Sequence, residues 1–254
     1  MEAAESRRPV PHRPRNPAPR HRAGEPTCGA CVIHACSCML AAMLLRILSL
    51  LAVLSSLLQA DNAALDAWLK RQATVKTLET EFVQERKLPS LKQPVSTPGK
   101  LSFANPGRVR WQLGEPVATL VLSDGTTLTL IDHKVKTARR IPADSPQAAR
   151  FSMLTGDGFQ NPENFHAMFE IAAHRVASGI HQYTLKPKDH RMRSQVPWIF
   201  LDIDPAKNEL RAMELELKDK SRIRTVFQNP RINTKLPPAL FEADLTGLTV
   251  NDGR

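Results

Sequence analysis

The sequence predicts an α+β protein whose core is one strongly curved antiparallel sheet of about ten or eleven strands. Two observations indicate this class. From Leu78 onward, most of the chain consists of short runs of alternating polarity, separated by turn residues such as Asn-Pro-Gly and Ser-Asp-Gly. Helical periodicity is confined to the segment just before Leu78 and to one stretch in the middle of the strands.

The first element of this region is an amphipathic helix, DNAALDAWLKRQATVKT. Leu65, Trp68 and Leu69 recur near helical spacing, and Asp61 or Asn62 can serve as the N-cap. Strands follow in the segments LETEFVQERKL, GKLSFA, RVRWQL, VATLVLS, TTLTLID and KVKTARRI. The tight turns between them predict that neighbouring strands run antiparallel as a meander.

Two short helices interrupt the strands. Ser145–Gly156 and Asn161–Phe169 each begin with a Ser-Pro or Asn-Pro pair, which is typical of a helix start. Strands resume in FEIAAHRVA, IHQYTLKPK, WIFLDID, ELRAMELELKD and RIRTVFQNPRI, and the chain ends in the tail LPPALFEADLTGLTVND. Because neither a repeat nor a linker divides this region, we expect residues 61–254 to form a single domain.

The first sixty residues differ from the rest. Residues 1–38 contain six Arg, six Pro and three His without apolar periodicity, which predicts a disordered upstream extension to a translation start at Met39 or Met43. Residues 39–60 have the form of a secretory signal peptide, with cleavage before Asp61. The alternative is an uncleaved membrane anchor. The four cysteines all precede this apolar run, and no compact domain surrounds them that would hold a metal.

Charge and motifs exclude several functions. Without residues 1–60 the chain keeps 28 basic and 22 acidic residues, a net charge of +6 that lacks the concentrated stripe of a nucleic-acid binder. Nucleophile elbows, zinc-protease motifs and phosphate-binding glycine loops are missing, and the histidines after residue 60 are spread over different elements. We therefore expect no enzyme activity, no cofactor and no metal.

The order of the motifs resembles the LolA-type outer-membrane lipoprotein carriers. An amphipathic helix is followed by FVQER, GKLSFANPGRVRW and EPVATLVLSDGTTLTLID, and the closing segment LPPALFEADLTGLTV is similar to that family's. The likeness extends from about Asp61 to Asp252. It implies an unclosed half-barrel with a helical lid over its concave face, located in the periplasm after export. Such carriers take acylated lipoproteins from an inner-membrane release complex to an outer-membrane acceptor and hold the acyl chains under the lid.

Alternation along the strands suggests which residues would line the cavity of such a carrier. One face of the sheet is expected to combine apolar side chains from four strands, and the two central helices to add lid contacts. The strand residues are Leu101, Phe103, Val109, Trp111, Leu120, Leu122, Leu128 and Leu130. The lid residues are Phe151, Met153, Leu154, Phe165 and Met168. Arg108 and Arg110 alternate with the wall residues, and we expect them on the solvated convex face, where they can meet an acidic partner.

One position departs from the family. Where the family often has an Arg that ties the sheet to the lid, this chain has Asn105, in ANPG. The segment FVQERKLPSLKQPVSTPGKL is also closer to a LolA-like subgroup associated with aryl-polyene and other envelope lipids. Two alternatives to a lipoprotein carrier therefore stay open, namely a carrier of another lipid or glycolipid and a structural envelope protein with a filled core.

Overall fold

The computed structural model describes residues 62–145, 147–148, 151–152 and 157–253. The predicted extension, the signal peptide and its cleavage site lie outside the described residues, as do Met153 and Leu154. Among the described helices, none combines the length and the apolar character needed to cross a membrane.

One twelve-stranded sheet contains all the strands of the described residues. The strands are β1 (Thr77–Lys87), β2 (Val95–Ala104), β3 (Arg108–Leu113), β4 (Thr119–Asp124), β5 (Thr127–Asp132), β6 (Thr137–Pro142), β7 (Phe169–Ala177), β8 (Ile180–Pro187), β9 (Trp198–Asp204), β10 (Glu209–Glu216), β11 (Arg222–Ile232) and β12 (Thr249–Asp252). Their order across the sheet is β12-β6-β5-β4-β3-β2-β1-β11-β10-β9-β8-β7. Since β12 and β7 do not pair with each other, the sheet does not close into a barrel.

The predicted fold class is confirmed, with one strand more than expected. Ten neighbouring pairs are antiparallel. Short connections favour this direction for consecutive strands, whereas β1 and β11 pair although they are far apart in the chain. The additional strand, β12, lies in the C-terminal tail and pairs parallel to β6. Four exposed residues form β12, so its sequence carries no apolar alternation that would reveal it.

Three helices are described in full, α1 (Ala63–Gln72), α2 (Pro162–Met168) and α3 (His190–Arg193). α1 and α2 were predicted. The Asn161 side chain caps α2 by accepting a 2.8 Å hydrogen bond from the Asn164 amide, and Pro162 occupies its first turn. Of the predicted helix in residues 145–156, the described residues 147–148 and 151–152 are helical. α3 was missed because it has four residues, too few to show a period.

We call the face of the sheet that packs against α1 and α2 the inner face. Its main core lies under these helices and joins them to strands β7 to β10. The buried members of this core are Leu65, Trp68, Leu69, Phe165, Phe169, Tyr183, Leu185, Met192, Ile199, Leu201, Ile203 and Met213. Trp68 and the aliphatic residues of α1 recur at helical spacing, so one stripe of the helix is buried against the strands.

The opposite, outer face carries a second core over β4, β5 and β6. Leu120, Leu122, Ile131 and Ala138 pack there against residues of the C-terminal segment 243–248. The expectation that Leu120 and Leu122 line the cavity is therefore wrong. Across the β4–β5 turn, Leu120 is opposite Ile131 and Leu122 is opposite Thr129, so even-numbered residues of β4 share a face with odd-numbered residues of β5.

Phe82 and Gly99 form a close contact at the centre of the inner face. They are directly opposite each other in β1 and β2, and a Cβ on residue 99 would lie 2.3 Å from Phe82 Cζ and 2.5 Å from the Gln112 carbonyl oxygen. The Phe82 ring thus fills the space of a side chain at position 99. Its centroid is 4.4 Å from that of Trp111, which joins three strands through aromatic packing.

We expect Gly99→Ala to lower the free energy of unfolding by about 2 kcal/mol, because the methyl group must displace the Phe82 ring and crowd the Gln112 carbonyl. Urea denaturation of the single variants Gly99→Ala and Phe82→Leu and of the double variant measures the coupling. In the Phe82→Leu background the same glycine substitution should lower the free energy of unfolding by less. Additive losses in the double variant would contradict the steric explanation.

Candidate functional site

Three neighbouring cavities follow one another along the inner face. The first lies between α1 and strands β1, β2, β3, β10 and β11, and has a volume of about 140 Å³. The middle one, of about 160 Å³, lies between the C-terminal end of α1 and the strands β1 and β2. The far one, of about 530 Å³, lies between β2 to β5 and the helical residues Ala148, Phe151 and Ser152.

Neighbouring cavities in this row share wall residues. Leu78, Leu101 and Phe159 line both the first and the middle cavity. Phe103 and Gln160 line both the middle and the far cavity. The three cavities together therefore form one line across the inner face, from β10 to β5, and we call this line the inner groove.

The walls of the inner groove are largely apolar and aromatic. Trp111 faces the first cavity beside Leu101, and Phe227 adds a ring from β11. Phe159, which separates the first and middle cavities from the core, stacks on Phe169 with ring centroids 5.4 Å apart. Several of these side chains are only half-buried, so apolar surface remains open to a ligand.

Polar groups border the first cavity. The Arg71 guanidinium donates through Nη1 to the carbonyls of Lys207 and Asn208, at 2.7 and 3.1 Å, and this connects α1 to the β9–β10 turn. Glu209 lies at the same border. Most of the groove's wall is therefore apolar; Arg71 and Glu209 border its first cavity, and Asp124 borders the far one.

Six of the predicted wall and lid residues lie on the groove. They are Leu101, Phe103, Val109, Trp111, Leu128 and Phe151. Leu130 lies on the same face, opposite Val121, and is 36% exposed without bordering these cavities. Phe165 and Met168 belong to the core under α2 instead, where Phe165 is fully buried.

Sequence reasoning missed the part of the groove that β1, β10 and β11 provide. These residues are Leu78, Leu210, Met213, Phe227 and Ile232. Alternation was visible in β1, where Leu78 and Phe82 are an even number of residues apart. The contact between β1 and β11 was not visible, because residues such as Leu78 and Ile232 that meet there are far apart in the chain.

The comparison with known protein families is decisive at this point. Residues 73–244, about two thirds of the chain, match the family model described as the outer membrane lipoprotein carrier protein LolA. The chain belongs to the LolA family.

Individual relatives agree with this assignment. An outer-membrane lipoprotein carrier protein of Azotobacter vinelandii is 31% identical over 57% of this chain and 69% of its own length. One of Pseudomonas fluorescens is 26% identical over 80% of this chain and 93% of its own length. Among solved structures, the LolA superfamily protein NE2245 of Nitrosomonas europaea covers 70% of this chain and 96% of its own, at 10% identity and a TM-score of 0.38. A TM-score this low supports no conclusion about function.

In this LolA-family chain, Asn105, the position at which the sequence departs from the family's arginine, lies at the middle cavity. It is exposed and borders the cavity together with Gln160 and Asn161, which lead into α2. Its backbone amide donates a 2.8 Å hydrogen bond to the Lys76 carbonyl. The position therefore faces the start of the predicted lid, and a connection to that lid stays a prediction.

Arg108 and Arg110 lie on the outer face, where both contact the C-terminal segment, and an acidic partner for them stays a prediction. The Arg110 guanidinium donates through Nη1 to the Leu240 carbonyl at 3.0 Å, and the Arg108 guanidinium carbon lies 5.4 Å from the ring centroid of Phe241. Partial burial lowers the pKa of Arg110. The two arginines therefore hold the C-terminal segment of their own chain, which covers the outer face.

The histidine and aspartate side chains that could serve as acids or bases in catalysis form structural contacts instead. His174 and His181 meet across β7 and β8, with Nε2 and Nδ1 3.1 Å apart, and both rings stack near Tyr183. Asp124 accepts hydrogen bonds from both amides of the following turn, at Thr126 and Thr127; burial raises its pKa, but these bonds outweigh it and leave the pKa below its usual value. Within the described part of the chain, no group of three or more His, Cys, Asp or Glu could hold a metal ion.

We expect Arg110→Ala to lower the free energy of unfolding by about 1–2 kcal/mol, since it removes a charged donor from the Leu240 carbonyl. Hydrogen exchange should also become faster in residues 238–248. The matched control is Arg175→Ala, an exposed arginine on the edge strand β7, which should change stability by less than about 0.5 kcal/mol. Equal effects of the two variants would contradict a fastening role for Arg110.

Proposed function

We propose that this LolA-family protein is a periplasmic carrier that binds the acyl chains of lipoproteins in the inner groove. It takes them from an inner-membrane release complex to an outer-membrane acceptor, and acts as a monomer without catalysis. The observation that carries this proposal is the row of three neighbouring cavities along the inner groove, in which apolar walls from both halves of the sheet stay partly exposed.

The chemistry of the walls supports an acyl chain as ligand. Burying a methylene group in an apolar site is favourable by about 0.8 kcal/mol, so a chain of several methylenes gains enough to offset its own ordering. Half-buried rings such as Trp111 and Phe103 offer flat, adaptable surfaces to it. Arg71 and Glu209 at the end near α1 suit a polar head that stays outside the groove.

Asn105 favours a second candidate, a carrier of another envelope lipid or glycolipid. An asparagine at this position offers fewer and uncharged hydrogen-bond donors than the family arginine. The residues that lead into α2 would then be held less firmly over the middle cavity, and the cavity would accept a bulkier amphiphile. Mass spectrometry of the material that copurifies from a periplasmic extract separates the candidates, because lipoproteins and free lipids differ in mass and in protein content.

We expect Phe103→Glu to weaken binding of a fluorescent fatty acid at least tenfold. Phe103 lines both the middle and the far cavity and is half-buried, so the substitution places an unpaired carboxylate against the ligand while the fold tolerates it. The measurement is a fluorescence titration, with circular dichroism to verify folding.

The matched control is Val176→Glu on the edge strand β7. Val176 is 57% exposed and borders none of the three cavities of the inner groove, so its variant should bind the probe as the parent does. A folded Phe103→Glu variant with parental affinity would refute binding in the inner groove. A parent protein that neither binds the probe nor copurifies with lipid would support the filled-core alternative.

A further inference from the structure

Three hairpin turns at one end of the sheet carry basic side chains, and two of them also carry exposed apolar side chains. Because successive strands run antiparallel, the β1–β2, β5–β6 and β10–β11 turns are all on the same end. These turns, with the ends of β1 and β2 that flank the first of them, comprise residues 86–95, 133–136 and 217–221, and we call them together the basic rim. The β3–β4 turn lies between two of them in the strand order.

Exposed apolar side chains project from the basic rim. Leu91 and Val95 on the β1–β2 turn are 45% and 48% exposed, and Val135 on the β5–β6 turn is 65% exposed. Each is a large aliphatic group on a turn or at the strand end beside it, and none of them borders the inner groove. Burial of these side chains requires something from outside the sheet.

Cations surround these apolar groups. They are Arg86, Lys87 and Lys92 on the first turn, Lys134 and Lys136 on the second, and Lys218 and Lys220 on the third. Between Glu85 and Glu115 the sequence contains no acidic residue. Lys220 contacts Glu216 at 3.2 Å. The first two turns therefore present basic side chains beside their exposed aliphatic residues.

The acids at this end compensate only part of that charge. The Asp132 carboxylate accepts a 2.9 Å hydrogen bond from the Lys134 amide, and Asp219 accepts one of the same length from the Ser221 amide. Both acids thus serve the local turns. Glu115 belongs to the β3–β4 turn and is exposed there. The rim contains seven Lys and Arg residues and one acid, Asp219, and four further acids flank it, namely Glu85, Glu115, Asp132 and Glu216, so its net charge stays positive.

We propose that the basic rim docks on an anionic lipid surface. Cations attract the negatively charged headgroups, and Leu91, Val95 and Val135 insert between them, as in interfacial anchors that combine basic and apolar groups. Isolated exposed aliphatic side chains on separate turns suit a fluid bilayer better than a folded protein, since they do not form the contiguous apolar patch that a protein partner would bury. This docking goes beyond the proposed carrier function and does not depend on it.

The experiment is sedimentation of the protein, isolated from expressing cells, with vesicles of phosphatidylethanolamine that contain or lack phosphatidylglycerol. We expect binding only to the anionic vesicles, and less of it as salt is raised. The double variant Lys87→Glu/Lys92→Glu should bind at least tenfold more weakly, and Leu91→Ser about fivefold. The matched controls are Lys207→Glu and Val176→Ser, which are exposed at the opposite end and should bind as the parent does.

Each other outcome overturns the proposal. A parent protein that does not bind anionic vesicles, or that binds neutral ones equally, excludes an anionic bilayer as the partner. Rim variants that bind like the controls exclude the rim as the docking site. If the rim variants instead lose binding to polyglutamate while vesicle binding is unchanged, the rim recognises an acidic protein. The fluorescent fatty acid titration of the same variants should be unaffected, which separates this proposal from that of the inner groove.

Discussion

The pairing of β1 with β11 is the contact on which the rest of the sheet depends. Strands β2 to β6 form one antiparallel meander and β7 to β11 a second, and β1 joins them by bonding to β2 on one side and β11 on the other. Nine residue pairs make the β1–β11 ladder, among them Leu78 with Ile232. Bringing β1 and β11 together closes a long loop of the chain, which costs conformational entropy. Apolar contacts help to offset this cost, such as that between Phe82 and Phe227, whose ring centroids are 6.3 Å apart. The first cavity lies over this junction and takes its walls from both meanders.

The groove exists because the two faces of the sheet are covered unevenly. α1 and α2 bury the second meander so closely that Leu65 and Phe165 are fully inaccessible. Over β1, β2 and β3 the cover is thinner, and Leu78, Phe103 and Trp111 stay half-buried. On the outer face the C-terminal segment fills the corresponding space over β4 to β6. One face of the first meander is therefore packed as a core while the other keeps apolar surface available.

Much of the fold could be predicted from the sequence, because turn residues and strand alternation are local signals. The register between neighbouring strands, which decides the face on which each side chain lies, is not a local signal. Leu120 and Leu128 were placed on one face by their parity, but the β4–β5 register puts them on opposite faces. The roles of Arg108 and Arg110 depend on the C-terminal segment, which is remote in the chain, so alternation alone showed their face and not their contacts. For the same reason the β11 side of the groove could not be anticipated.

The outer face of the second meander differs from the basic rim in how its cations are paired with acids. On the outer face of β9 to β11, Arg222 bridges to Glu214 and Glu216 at 3.0 and 2.7 Å, and Arg224 pairs with Asp202 and Glu214. The guanidinium of Arg224 has a raised pKa, since the favourable contacts with these two carboxylates outweigh its partial burial. The cations on this face are therefore neutralised by neighbours that the sheet register places beside them. Lys87 and Lys92 have no acid on their own turn to balance them. On the basic rim, seven basic residues therefore lie beside the exposed side chains of Leu91, Val95 and Val135 with one acid among them, which gives the rim the positive field that attracts an anionic surface.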